Sequence, residues 1–180
     1  VLALTLCVKT KQYSFNQFCT FLQKIRYNNG VISYPTRLHY FSEWINDNTK
    51  QGFVKEINTP NPPFKSQQIL DLHYMSTQHH KYPMLVQNPS WIKEIRKMEQ
   101  MVSGKTVNYI PKGILNNSSL IKDVIKDGDI IAIVTARKGL DTSHIGFASW
   151  HNGQLHLLNA SRIRGKVIDE SMTLYQYMQT

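Results

Sequence analysis

Residues 139–161 read GLDTSHIGFASWHNGQLHLLNAS, and the fold follows from how this stretch pairs with itself. Two apolar runs, Ser143 to Trp150 and Gln154 to Ala160, flank Asn152-Gly153, the dipeptide that most readily takes the positive φ angles of a two-residue hairpin turn. Such a turn sets His151 opposite Gln154 and carries the register down to His144 opposite Ser161; a four-residue loop would keep the same register. Because side chains alternate across a strand, Leu155, Leu157, Asn159 and Ser161 then share the face of His144, while His151 and His156 point to the other. Asn159, opposite Gly146, lies diagonal to His144 and within reach of a side-chain hydrogen bond.

A carboxamide that holds one imidazole nitrogen fixes both the tautomer and the ring plane. That is the orienting half of a nucleophilic site, whose remaining member is a thiol or hydroxyl. His144 and Asn159 are therefore the candidate catalytic pair. The competing reading is a half-buried histidine near a strand end whose closeness to Asn159 has no chemical role, and the hairpin alone favours it. Gly146 leaves room beside the imidazole, although strand glycines have packing reasons too.

The 180 residues suffice for one domain with a full hydrophobic core and are too few to imply two. A charged fraction of 18% against 41% hydrophobic excludes a wholly disordered chain. The net charge of +9 suits an anionic partner, whether nucleic acid, acidic lipid or an anionic polymer such as cell wall, and does not choose among them. Lys and Arg are dispersed, and no zinc-finger, RNP-like or helix-turn-helix pattern accompanies them, so no nucleic-acid partner is expected. Cys7 and Cys19 match neither a CxxC redox pair nor a tetrahedral zinc set. They are two buried thiols or one disulfide joining neighbouring helices. No run is long and apolar enough to span a bilayer.

Val1 to Val8 (VLALTLCV) enters a helix body with no capping residue ahead of it, and it lacks the basic region and cleavage site of a signal peptide. Thr173 to Thr180 also stops without a cap or tail. Residues 1–180 thus read as a single domain cut at both ends. Ser14 caps a helix over Phe15 to Tyr27, closed by Asn28-Asn29-Gly30. Pro35 to Arg37 opens a short helix through Trp44 and Ile45, with Leu38, Phe41, Trp44 and Ile45 as its apolar face. Phe53 to Ile57 and Ile69 to Met75 alternate as strands, Thr59 to Phe64 is a proline-rich loop, and Ser76 to Pro83 is a polar connector. His73, His79 and His80 lack carboxylate or thiol companions, so no metal site is expected. Asn88-Pro89-Ser90 starts a helix over Trp91 to Val102 with Lys93, Glu94, Arg96, Lys97 and Glu99 outside. Strands follow at Lys105 to Ile110, Ile130 to Thr135 and Gly165 to Ile168, with helical turns at Leu120 to Ile125 and Thr173 to Met178. Helices early and strands late give an α+β fold, an antiparallel sheet packed against the opening helices.

The order GDIIAIVT (128–135), GLDTSHIGFA (139–148) and LHLLNAS (155–161), with RLHYFSEWI (37–45), HYMST (73–77) and YIP (109–111) upstream, resembles the NlpC-type papain-like cysteine hydrolases of bacterial cell walls. More narrowly it resembles their N-acetylmuramoyl-L-alanine amidase-like branch, first catalogued as a domain of unknown function and found in Bacteroides-type bacteria. The motifs are specific in combination, and they imply the papain-like NlpC-type fold. In that family a Cys at the start of a buried helix attacks an amide, a His at the start of a strand acts as its base, and a polar residue on the next strand orients the His. His144 falls on the second role and Asn159 on the third, where the family often has His. The family's Cys stands in a segment resembling DCTTFVE directly before a run like VLALTL, so the nucleophile is expected upstream of Val1. Cys7 sits late in the helix, away from the dipole and exposed amides that lower a thiol's pKa and stabilise an oxyanion. The same motifs bring forward Arg37, His39 and Tyr40, with Ser76 and Thr77, as substrate-cleft candidates, Arg37 being suited to a muropeptide carboxylate.

The reaction so implied is cleavage of the amide between the lactyl group of N-acetylmuramic acid and L-Ala through a thioester acyl-enzyme, with no cofactor and no metal. The partners would be peptidoglycan fragments (muropeptides), met in the periplasm or by a secreted or lipid-anchored protein, and a monomer is expected. Two alternatives stay open: cleavage between D-Glu and a diamino acid of the stem peptide, and a non-catalytic basic relative that binds glycan or nucleic acid.

Overall fold

The hairpin is present in the computed structural model, which describes residues 1–57 and 63–179. Its strands are Thr142–His151 (here β4) and Gln154–Ser161 (β5), and Asn152 and Gly153 take φ of 50° and 77° at the turn. The ladder runs from His151–Gln154 to Phe147–Leu158 in the expected register. Below that pair β4 continues against Ile130–Val134 (β3) and β5 against Lys166–Asp169 (β6), so His144 is paired with Ile133 and Asn159 with Ile168. The result is a four-stranded antiparallel sheet in the order β3-β4-β5-β6.

The face of the hairpin that carries His144 is its core face. Ala148, Leu155 and Leu157 are buried there with Ile121 and Leu174, flanked by Ile131, Ile133, Trp150 and Tyr177. Cover comes from Ser118–Lys122 (α7), the 3-10 turn Lys112–Asn116 and Leu174–Tyr177 (α8), the last held by a Thr173–Gln176 capping box. A one-residue slip would turn Leu155 and Leu157 to solvent, forfeiting roughly 1.5–3 kcal/mol for each. The register that sets His144 near Asn159 is therefore fixed by core burial. A two-stranded antiparallel sheet, Ser66–Ile69 (β1) with Thr106–Tyr109 (β2), lies elsewhere in the chain.

The chain divides into two compact units: Val1–Glu56 with Asp71–Ser103 and Arg137–Asp141, and Ile57–Leu70 with Gly104–Ala136 and Thr142–Thr180. Both sheets belong to the second. In the first, Leu2–Thr10 (α1) and Phe15–Arg26 (α2) close around Ala3, Leu6, Cys7, Phe21 and Ile25, with Trp44 and Phe53 alongside. The opening helices thus build their own core, while the sheet draws its cover from α7 and α8. Ser14 caps α2 by accepting from the Gln17 amide at 3.1 Å.

Several expected elements are replaced. No helix opens at Pro35: the Thr36 carbonyl accepts from the Asn28 amide and the Leu38 amide donates to the Arg26 carbonyl, so this stretch folds back on the end of α2. The helix (α3) instead spans Phe41–Lys50. Phe53 to Ile57 is not a strand, because the Phe53 and Val54 amides turn back to the Asn48 carbonyl. The strand expected from Ile69 ends there, the chain entering helical turns at Tyr74–Thr77 (α4), His79–Lys81 and Pro83–Gln87 (α5) in place of a polar connector. Trp91–Val102 (α6) has the expected bounds, yet Glu99 faces inward at 1% exposure. Most of the Thr59 to Phe64 loop lies outside the described residues. Among the described residues no helix is long and apolar enough to cross a membrane.

Candidate active site

His144 Nε2 stands 3.0 Å from Asn159 Oδ1, and Asn159 Nδ2 donates to Glu170 Oε1 at 3.1 Å. Asn159 is 4% exposed and Glu170 8%, whereas the His144 ring is half-buried, stacked at 6.4 Å on Tyr177. The amide oxygen accepts, so Nε2 carries the imidazole proton and Nδ1 keeps its lone pair. An imidazole in that state takes a proton at Nδ1, and the amide oxygen stabilises the imidazolium that forms. Gly146 makes the arrangement possible: a Cβ there would lie 2.8 Å from Leu157 Cδ1 and from the Leu158 carbonyl oxygen. Glu170 was not legible in the hairpin. It follows β6 by one residue, and only the β5–β6 register brings it to Asn159.

On the opposite face His156 is buried, its Nδ1 donating to the Glu170 carbonyl at 3.0 Å. His151 Nε2 meets Asp169 Oδ2 at 2.7 Å in an exposed pair. Among the described residues no group of three or more His, Cys, Asp or Glu side chains could hold a metal ion.

The first unit holds the remaining candidates. Tyr40 and Ser76 come together on Glu99, whose Oε1 accepts from the Tyr40 hydroxyl at 2.7 Å and from the Ser76 amide at 3.0 Å. The Tyr40 hydroxyl also accepts from the Met75 amide at 3.0 Å, and burial pushes its pKa well up. Tyr40 is 2% and Ser76 3% exposed, and both are parts of a buried network tying α4 to α6. Thr77, exposed, returns its hydroxyl to the His73 carbonyl at 2.7 Å. A cavity of about 360 Å³ is lined by Ser76, Thr77, His73, Arg96 and Glu99 among others. Arg37 is exposed, and His39 Nε2 donates to the Tyr34 carbonyl at 2.8 Å, with burial lowering its pKa.

Glu99 could have been found from its position. Ile95, Met98 and Val102 form the buried stripe of α6, and 99 stands on it at i+4 from Ile95. Asp141, in the GLDTSH motif, is a second buried carboxylate. Its Oδ2 accepts from the Ser42 amide and hydroxyl, both at 2.7 Å, capping α3 from a distant part of the chain. Both cysteines are free thiols: Cys7 is buried in the α1–α2 core and Cys19 is exposed, which removes both the disulfide and the pair of buried thiols.

No curated protein matches the sequence. A crystal structure described as an N-acetylmuramoyl-L-alanine amidase from Bacteroides uniformis is similar at 38% identity and TM-score 0.90, over 99% of this chain and 73% of that one. A Bacteroides fragilis protein, provisionally described as a xylanase, has 41% identity and TM-score 0.89 over 99% of this chain and 76% of its own. A more distant Legionella pneumophila structure has 26% identity and TM-score 0.62, over 92% of this chain and 64% of that one. The AmiA-like family model, N-acetylmuramoyl-L-alanine amidase-like, matches residues 2–180, and the chain belongs to that family.

Proposed function

We propose that this chain is the amidase domain of a bacterial cell-wall hydrolase. It cuts the bond between N-acetylmuramic acid and L-Ala in muropeptides, by papain-like cysteine chemistry and without a cofactor. Family membership supports the amidase reading, and the observation that carries the mechanism is the 3.0 Å contact of His144 Nε2 with the buried Asn159 amide. His144 Nδ1 accepts the thiol proton, the thiolate attacks the lactyl carbonyl, and the amine of L-Ala leaves with that proton. Water then opens the thioester. The thiol is proposed to come from residues ahead of Val1, since Cys7 is 5% exposed inside an apolar cluster. Residues 1–180 act in this reading as a single domain, outside the cytoplasm and as a monomer, and Arg37, His39, Tyr40, Ser76 and Thr77 are its proposed substrate-cleft residues.

The test uses the full-length protein and a soluble muropeptide, with products separated by mass. Release of a peptide beginning with a free L-Ala amine is the expected result. His144→Ala should remove turnover while leaving the unfolding midpoint near that of the parent. Cleavage at the D-Glu to diamino acid bond would move the reading to the endopeptidase. Turnover that survives His144→Ala would end the base assignment.

A further inference from the structure

We infer that Glu170 is a positioning residue that selects the working tautomer of His144 by fixing which way the Asn159 amide faces; this rests on the base role proposed for His144. An Asn side chain can turn its oxygen and nitrogen end for end with almost no change of shape, so packing alone does not choose between them. The choice matters here. With Oδ1 toward the ring, Nε2 must donate and Nδ1 is the basic atom. With Nδ2 toward the ring, Nε2 must accept, the proton moves to Nδ1, and the atom proposed to take the thiol proton is blocked. Glu170 settles the matter because a carboxylate offers only acceptors, and its Oε1 lies 3.1 Å from the far end of the same amide. The flipped amide would aim Oδ1 at that carboxylate oxygen, two acceptors at contact distance in a site where both residues are buried.

The placement of Glu170 is itself over-determined. Its amide donates to the Leu157 carbonyl at 3.1 Å, and its carbonyl accepts from His156 Nδ1 at 3.0 Å. Two residues of β5 thus grip its main chain, while its side chain reaches a third, Asn159. The outward-facing, buried His156 therefore contributes to the opposite face by holding Glu170 in register.

Two variants of the full-length protein test the inference. Glu170→Gln keeps the shape but adds a donor, so the flipped amide becomes acceptable; Glu170→Leu removes the acceptor outright. The first readout is the nitrogen NMR shifts of the His144 ring, which report the tautomer whether or not the enzyme turns over. Glu170→Leu should lose the pure Nε2–H form, and Glu170→Gln should show a mixture. The second readout is turnover against pH: kcat should fall on the order of 10-fold or more for Leu and less for Gln, with KM within about twofold, since an imidazole held in the wrong tautomer loses general-base activity. A folded Gln or Leu variant whose His144 keeps the parental Nε2–H tautomer refutes the inference, whatever its activity. If Leu does not fold, Gln alone decides. A tautomer change in Glu170→Leu alongside full turnover in His144→Ala would instead uphold the Glu170–Asn159–His144 linkage and overturn the base assignment.

Discussion

Glu43 gives the protein a stability that should fall between acid and neutral pH. The carboxyl sits in the first turn of α3, 9% exposed, with Oε2 buried and no hydrogen-bond partner. Burial is the main force pushing its pKa from 4.5 up to about 7; Asp47 and Asp141 add to it and the His39 backbone amide opposes it. Below pH 4.5 the group is protonated in both folded and unfolded chains and costs nothing. As pH rises from there to about 7, the unfolded chain gives up its proton and the folded chain keeps it, so unfolding releases a proton and stability declines. Above that window both forms are ionised and the whole penalty is present, about 3 kcal/mol from a pKa difference of about 2.5 at 1.36 kcal/mol each. Glu43→Gln removes the titration and keeps the shape. Any fixed cost of burying the new amide is the same at every pH, so the informative quantity is the change in the difference between parent and variant. Urea unfolding at about pH 4 and about pH 8.5 measures it. The variant should gain about 3 kcal/mol on the parent between the two, on the order of 1 M in midpoint. A parent-to-variant difference that stays constant with pH would refute the burial argument.

Three further outcomes are expected. Tyr40→Phe deprives the Met75 amide of its acceptor and Glu99 of one of its two donors, costing about 1–3 kcal/mol; a thermal midpoint within a degree of the parent would contradict the network. Gly146→Ala forces a methyl against the Leu158 carbonyl and Leu157, for about 1–3 kcal/mol of destabilisation by denaturant titration, and should lower turnover further by displacing β4 beside His144; a neutral variant would mean the strands separate there without cost. Iodoacetamide on the native protein, followed by peptide mapping, should label Cys19 promptly and Cys7 only after denaturation. Equal labelling, or a linked pair of peptides, would contradict the free buried and exposed thiols.

What the amino-acid sequence discloses depends on the range over which each interaction acts. The hairpin was legible because strand alternation and the Asn-Gly turn are local, and once they set the register the closeness of His144 to Asn159 followed. Trp91–Val102 was legible for the same reason, its apolar spacing giving the bounds as found. The failures are of another kind. Pro35 to Arg37 reads as a helix start because proline suits one, but the amides and carbonyls of that stretch had partners on α2, which no local pattern reveals. Glu99 reads as solvent-facing from its charge although its position lies on the buried stripe, and its donors lie 59 and 23 residues away at Tyr40 and Ser76.

The charge of a side chain and its place on an element are separate observations, and where they conflict the place decided. A carboxylate on an apolar face is tolerated only where donors converge on it, because an unpaired buried charge costs several kcal/mol. Asp141 meets the amide and hydroxyl of Ser42, Glu99 meets Tyr40 and Ser76, and Glu170 meets Asn159. Glu43 and Glu99 each leave Oε2 buried without a hydrogen-bond partner, but Glu99 Oε1 takes two donors, whereas at Glu43 burial outweighs the His39 amide and raises the pKa. In this chain an acidic residue at a core position therefore marks a cluster of donors drawn from remote segments. Of those clusters, the one on Glu170 ends on the His144 imidazole, and in the proposed mechanism that is what would tie it to chemistry.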